Sequence, residues 1–164
     1  MESTHSQLPP DIEALLALAS TWCEEQERLI LSKGVPLTAE ETGWAKQIGV
    51  AHPDRVRLLC VDEIPQPEDP TLRAAAELYG FLSPGTMGMA LRYGILIRDE
   101  VWREKPIIFH ELVHTAQYER LGGMAAFLNQ YLVECLTVGY EQSPLEREAV
   151  TLTQQMMEQD AGRF

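Results

Sequence analysis

His110, Glu111 and His114 lie in the run His110-Glu111-Leu112-Val113-His114, a spacing that demands a helix if the two histidines are to act together. Residues four apart on an α-helix project from one face, one turn above the other, so both imidazoles can converge on one metal ion. Glu111 is offset from that line. It can reach a metal-bound water rather than the metal, which is where a general base belongs. Leu112 and Val113, with Phe109 and Ala116, are read as core-facing anchors of this helix. The competing reading is a surface helix with two solvated histidines. It is the weaker one, because the motif sits in a well-punctuated helix directly after a strand-like segment.

The punctuation is clearest around the motif. Pro106 suits a first turn, so the metal helix is expected over Ile107 to Leu121, closed by Gly122-Gly123. Met124 to Val138 follows as a helix with Phe127, Leu128, Tyr131, Leu132, Cys135 and Leu136 on one apolar face, ended by Gly139. Ser143-Pro144 then opens a third helix running to about Glu158.

Upstream, residues 1–10 read as a disordered leader, and Asp11 can cap a helix. Its apolar positions Ile12, Leu15, Leu16 and Ala19 recur at helical spacing, and it continues through Trp22 and Leu29 to about Leu31, with Gly34 as its stop. Thr38, with Glu41 three residues on, predicts a capped helix to Ile48 that stops at Gly49. Arg55 to Val61 is rich in β-formers and reads as a strand, and Ile64 to Pro70 holds three prolines and reads as an extended loop. Leu72 to Tyr79 reads as a short helix, Ser83-Pro84-Gly85 as a turn, and Met87 to Arg98 as a second strand region with its best part from Arg92. Trp22, Trp44 and Trp102 are taken as packing residues. Helices dominate, so the expected fold is an α+β single domain over residues 11–164, with a small antiparallel or mixed sheet and its metal-site helices within about 106–158.

Composition narrows the function classes. A chain of 164 residues supports one core, and a formal charge of −12 repels phosphate backbones and anionic lipid, so neither nucleic acid nor membrane is expected as a partner. Cys23, Cys60 and Cys135 are scattered with no CxxC pair, which reads as reduced thiols rather than a disulfide framework. Met1 to Pro10 lacks a basic region followed by an apolar one, and no apolar run approaches the ~20 residues of a membrane span. A cytoplasmic protein is expected.

Two histidines leave a catalytic zinc one ligand short, since such sites take three protein ligands and a water. His5 and His52 lie in the leader and in a distant loop, so an acidic ligand downstream is the economical choice. Glu146 is the first candidate, although Ser143-x-x-Glu146 also fits a capping box that would occupy its carboxylate. Glu148, on the same helix, and Glu134, on the preceding one, are the alternatives.

The motif with an acidic residue downstream resembles the gluzincin type of zinc metallopeptidase. The stretch from Leu91 to Ala149, with His110–His114 followed by Gln117-Tyr118 and then Pro144-Leu-Glu-Arg-Glu-Ala149, is similar to small bacterial HExxH proteins. In several gluzincin-like families the third ligand opens an E-x-x-A element, which here falls on Glu146-Arg147-Glu148-Ala149 and implies Glu146. Where those families usually have Asp or Asn, this chain has Val150. Glu134 has the spacing from His114 of thermolysin-like enzymes but lacks their Asn-Glu-x-x-x-Asp element. The resemblance implies a zincin-like fold in which the metal helix follows an edge strand, here Tyr93 to Arg98, able to align a peptide by main-chain pairing.

The expected function is therefore zinc-dependent hydrolysis of a peptide bond in a peptide or small protein. His110, His114 and Glu146 hold Zn²⁺, Glu111 is the base, and Tyr140 is a candidate oxyanion donor. Tyr118 is the other tyrosine considered, and packing roles remain open for both. The rival readings are a non-catalytic zinc-binding or regulatory module, a hydrolase of a small amide, and a purely structural helical protein.

Overall fold

The computed structural model describes residues 12–79, 82 and 85–162. The leader, the Asp11 cap and Ser83-Pro84 of the expected turn lie outside the described residues. The order is α1 (Ile12–Lys33), β1 (Val35–Pro36), α2 (Ala39–Ile48), β2 (Arg57–Val61), α3 (Pro70–Tyr79), β3 (Gly88–Leu91), β4 (Gly94–Arg98), α4 (Lys105–Leu121), α5 (Met124–Val138) and α6 (Pro144–Ala161). Single 3₁₀ turns sit at Pro53–Arg55, Asp99–Val101 and Tyr140–Gln142. The result is a helix-dominated α+β arrangement around a mixed four-stranded sheet.

Local signals account for most boundaries. Thr38 and Glu41 form both halves of a capping box: the Thr38 hydroxyl accepts from Glu41 N–H at 3.2 Å, and the Glu41 carboxylate accepts from Thr38 N–H at 2.9 Å. Gly122 ends α4 at φ 104°, a left-handed conformation open to glycine, and its N–H donates to the Tyr118 carbonyl.

The strand region Met87 to Arg98 proves to be a hairpin rather than one strand. β3 and β4 pair antiparallel, Leu91 opposite Gly94, around a two-residue turn at Arg92-Tyr93. The turn contains no Gly or Asn, and Arg92 sits at φ 60°. Glu27 of α1 makes this possible. Its carboxylate, almost wholly buried, accepts Nε of Arg92 at 2.9 Å, Nη2 at 2.6 Å and the Tyr93 N–H at 3.0 Å. These charge-assisted bonds offset the ~1–2 kcal/mol that a left-handed residue with a side chain costs.

The sheet order is β1-β2-β4-β3, with β2 and β4 parallel and both outer pairs antiparallel. This corrects one expectation. The strand that leads to α4, β4, is interior, and the edge strand is β3. Ile95, Leu96 and Ile97 are buried on both faces, as an interior strand requires. Leu91 and Leu96 pack on Ile30 and Cys23 of α1 and Phe127 of α5; Ile95, Ile97 and Leu58 face Ile108 and Leu112 of α4. On its far side α4 packs against α6 through Phe109, Val113, Ala149 and Met156.

α4 is thus enclosed on several sides, and its polar residues Glu111, His114, Thr115 and Gln117 are buried with the apolar ones. Buried polar groups must find partners, and those partners define the site. Trp22, Trp44 and Trp102 are partly buried against the core clusters, as expected. The three cysteines are free, with Cys60 exposed. Among the described residues no helix is long and apolar enough to cross a membrane.

Candidate metal centre

The two histidines of α4 meet one carboxylate from the first turn of α6. His110 Nε2 lies 3.3 Å from Glu146 Oε2, and His114 Nε2 lies 3.0 Å from Glu146 Oε1. The imidazole centroids are 4.9 Å apart. One donor atom from each of the three residues falls within 4.8 Å of the others, a group that could hold a metal ion. The helical spacing read from the sequence therefore does bring His110 and His114 together, and Glu146 is the acidic residue that joins them.

Gln117 orders this arrangement. Its Nε2 donates to the Leu145 carbonyl and to Glu148 Oε1, both at 2.9 Å. Its Oε1 faces His114 Nδ1 at 2.8 Å. With both amide hydrogens committed, the oxygen must accept, so Nδ1 of His114 carries the proton. In the neutral ring, Nε2 then presents its lone pair toward Glu146, the tautomer a ligand needs. Gln117 is fully buried and lies one turn from His114. Its position three residues on, on the histidine face, is the signal in the sequence that points to it.

The other two acidic candidates have different duties. Glu148 accepts from Gln117 and from Arg120 Nη2 at 3.2 Å, pointing away from the histidines. Glu134 accepts from the Ser143 hydroxyl at 2.7 Å and from Leu145 N–H at 2.9 Å, so it caps the start of α6 from the neighbouring helix. The capping box expected at Ser143 is half formed. Glu146 N–H donates to the Ser143 hydroxyl at 3.4 Å, but the Glu146 carboxylate is engaged with the histidines. The Ser143 N–H that a full box would give to Glu146 goes instead to the Tyr140 carbonyl at 3.2 Å, which leaves Glu146 free.

Glu111 is buried beside this group but outside it. The backbone of Ala90 on β3 lies close enough to its carboxylate to favour the charged form slightly. A Cβ placed on Gly88 would lie 3.1 Å from Glu111 Oε1 and 3.3 Å from Ile107 Cγ2, so glycine is what lets the edge strand approach the acid so closely. Burial pushes the Glu111 carboxyl above its ordinary range, with the Glu146 charge adding to this and the two histidines pulling the other way.

Burial disfavours charge on His114 and Glu146 alike. For His114 it is outweighed by the hydrogen bond to Glu146 and the charges of Glu111 and Glu146, so the imidazole is shifted upward. For Glu146 it is outweighed by hydrogen bonds from His110 and His114, so the carboxyl is held well below the usual range. His114 and Glu146 thus each favour the other's charged form.

Three tyrosines surround it. Tyr131 of α5 donates to Glu146 Oε1 at 2.9 Å, a partner that its place on an apolar helix face conceals in the sequence. Tyr140, more than one-third exposed, sets its ring edge-on to that of Tyr131, with centroids 6.4 Å apart. Tyr118 is structural: it stacks on Phe127 at 3.7 Å and donates to the Ala90 carbonyl.

A cavity of about 140 Å³ opens onto His110, Glu111, His114 and Glu146. No family model, no curated protein and no solved structure matches the chain, so its function is read from this geometry.

Proposed function

We propose that the protein is a zinc-dependent, metallopeptidase-like hydrolase of zincin type, with His110, His114 and Glu146 as the zinc ligands. The observation that carries this reading is the convergence of two imidazoles and one carboxylate while a second, buried carboxylate stands beside them outside the donor group. Two nitrogens and one oxygen suit zinc, and one donor atom from each of the three residues lies within 4.8 Å of the others.

When bound, zinc supplies a Lewis acid that acidifies water toward a pKa of ~7 and polarises a carbonyl. The chain's own residues do the rest. Glu111, with its proton affinity raised by burial, takes a proton from the attacking water and returns it to the departing amine. Gln117 holds His114 in the liganding tautomer. Tyr140, which lines the same cavity, offers its hydroxyl to the oxygen that gains charge.

The test pairs metal analysis with turnover on a broad library of quenched fluorescent peptides. Purified protein should carry one zinc, and Glu111→Gln should keep the zinc while losing about 10²–10⁴ in rate. Undiminished turnover in that variant rejects the mechanism. Absence of zinc uptake rejects the metal centre itself.

A further inference from the structure

A second cleft, of about 500 Å³, opens where the parallel strands β2 and β4 begin, and it shares no lining residue with the cavity at the metal group. Its size is that of a small-molecule site. Arg55, Arg57 and Arg92 all line it. The chain holds 13 basic residues against 25 acidic ones, so this gathering of arginine runs against the charge of the molecule as a whole.

The three guanidinium groups are not alike. Arg92 gives Nε and Nη2 to the buried carboxylate of Glu27, so its charge is matched. Arg57 is held by main chain instead. Its Nη1 donates to the carbonyls of Asp54 at 2.9 Å and Val56 at 2.8 Å, which uses both hydrogens of that nitrogen and fixes the group. Nε and Nη2 keep three hydrogens. They form the same edge that Arg92 presents to Glu27, a fork suited to a carboxylate. Arg55 lies over the ring of Tyr93, 5.7 Å from its centroid. Among the described residues no carboxylate comes within ion-pair distance of Arg55 or Arg57. Solubility alone does not need a fixed guanidinium, because holding a long side chain still costs rotamer freedom.

The rest of the lining sets the charge of a ligand. Glu27 cancels Arg92, and Asp54 cancels one of the other two arginines, which leaves one net positive charge in the lining. A monoanion is matched there, and a second negative charge would meet Asp54 unopposed. Leu31, exposed on α1, and the ring of Tyr93 add apolar surface beside the arginines.

We propose that this cleft binds a small monocarboxylate with a hydrocarbon body. The Nε–Nη2 edge of Arg57 holds the carboxylate, Arg55 adds charge beside it, and the body rests against Leu31 and Tyr93. The site is separate from the metal group and does not depend on the function assigned to that group.

The experiment titrates the full chain, isotope-labelled in nitrogen, with sodium benzoate, benzamide and sodium sulfate near neutral pH. The arginine Nε–H and backbone N–H signals are followed by NMR. Benzoate should shift the Arg57 signals to saturation. Benzamide has the same ring and no charge, and should bind about tenfold more weakly or worse, the loss of one charge-assisted bond. Sulfate, a dianion, should bind more weakly than benzoate.

Arg57→Gln should weaken benzoate about tenfold or more by the same measure. Arg55→Gln, at an exposed position, should weaken it by a smaller factor. Asp54 is also exposed, so Asp54→Asn leaves the fold intact, and it should strengthen sulfate by about fivefold or more and benzoate by less. Equal binding of benzoate and benzamide, or a benzoate affinity that survives both arginine substitutions, overturns the proposal. So does a titration that moves only signals of α4 and α6, which would place the anion at the metal group. Sulfate binding tighter than benzoate in the unmodified chain overturns the choice of a monocarboxylate.

Discussion

Nδ1 of His114 and Oε1 of Gln117 lie 2.8 Å apart, at the end of a hydrogen-bond chain that begins on the Leu145 carbonyl and Glu148. The chain ties α4 to the first turn of α6, so the residue that sets the tautomer of His114 also fixes the helix that carries Glu146. A ligand on one helix and its carboxylate partner on another gain their relative position from this bridge.

Replacing Gln117 by Leu should therefore weaken zinc binding about 10- to 100-fold, the range for loss of a partner behind a metal-binding imidazole. Competition against a chromogenic chelator measures this directly. Gln117→Glu keeps an acceptor facing Nδ1 and should lose less than the Leu variant. Equal losses in the two variants would reject orientation of His114 as the role of Gln117.

The three acidic candidates separate cleanly by experiment. Glu146→Gln should abolish tight zinc binding, because it removes the carboxylate that meets both histidines. Glu134→Ala should leave one zinc bound, yet cost about 1–2 kcal/mol of stability, since the start of α6 loses the acceptor of Ser143 and Leu145. Zinc content by mass spectrometry and unfolding by urea check both. Loss of zinc in the Glu134 variant with retention in the Glu146 variant would reverse the assignment.

The helices and the metal motif were legible in the sequence because their signals are local. Thr38 with Glu41, Gly49, Pro106 and Gly122 each act within one turn of chain, and His110 with His114 need only the helical repeat. What escaped depends on contacts distant in sequence. The Arg92-Tyr93 turn carries none of the usual turn residues and is held by Glu27, more than sixty positions upstream. Without that contact, β3 and β4 read as one strand, and the edge was assigned to β4. Glu146 could not be chosen over Glu134 on spacing alone. The choice follows from Ser143 and Leu145 occupying Glu134, which is a tertiary fact. Tyr131 reads from the sequence as one more residue of an apolar face, and only the fold reveals that its hydroxyl meets Glu146.

Proton linkage gives a prediction with opposite signs for the two forms of the protein. In the metal-free chain the His114 pKa lies above the usual 6.5: burial disfavours the cation, but the bond to Glu146 and the charges of Glu111 and Glu146 prevail. A group whose pKa is raised on folding contributes stability that is fully present below 6.5 and is lost as pH rises through the folded-state value. The melting temperature of the metal-free chain should thus fall as pH increases from 6.5. Zinc affinity should rise across the same window, because the ion must displace the imidazolium proton. Melting and chelator competition from pH 6 to 9 test the pair of slopes. Glu146→Gln, which removes the main partner of His114, should flatten the first, and an unaltered slope would show that other groups cause it.

Tyr131 and Tyr140 both line the cavity, with Tyr131 bonded to Glu146 Oε1, and the two hydroxyls should fail in different ways when removed. Tyr131→Phe deletes the donor to a ligand carboxylate, a hydrogen bond to a charged group worth about 1.5–3 kcal/mol. Zinc affinity should drop about tenfold or more as Glu146 loses its restraint. Tyr140→Phe leaves the bond between Tyr131 and Glu146 intact and should leave zinc affinity within about twofold. If its hydroxyl steadies charge gained by the substrate, kcat should fall about 10²–10³-fold with little change in KM. Chelator competition and steady-state kinetics on the two variants distinguish the roles. A Tyr140→Phe variant with full kcat would make Tyr140 a rim residue that supports Tyr131, and the oxyanion donor would then have to be sought among the main-chain groups of β3.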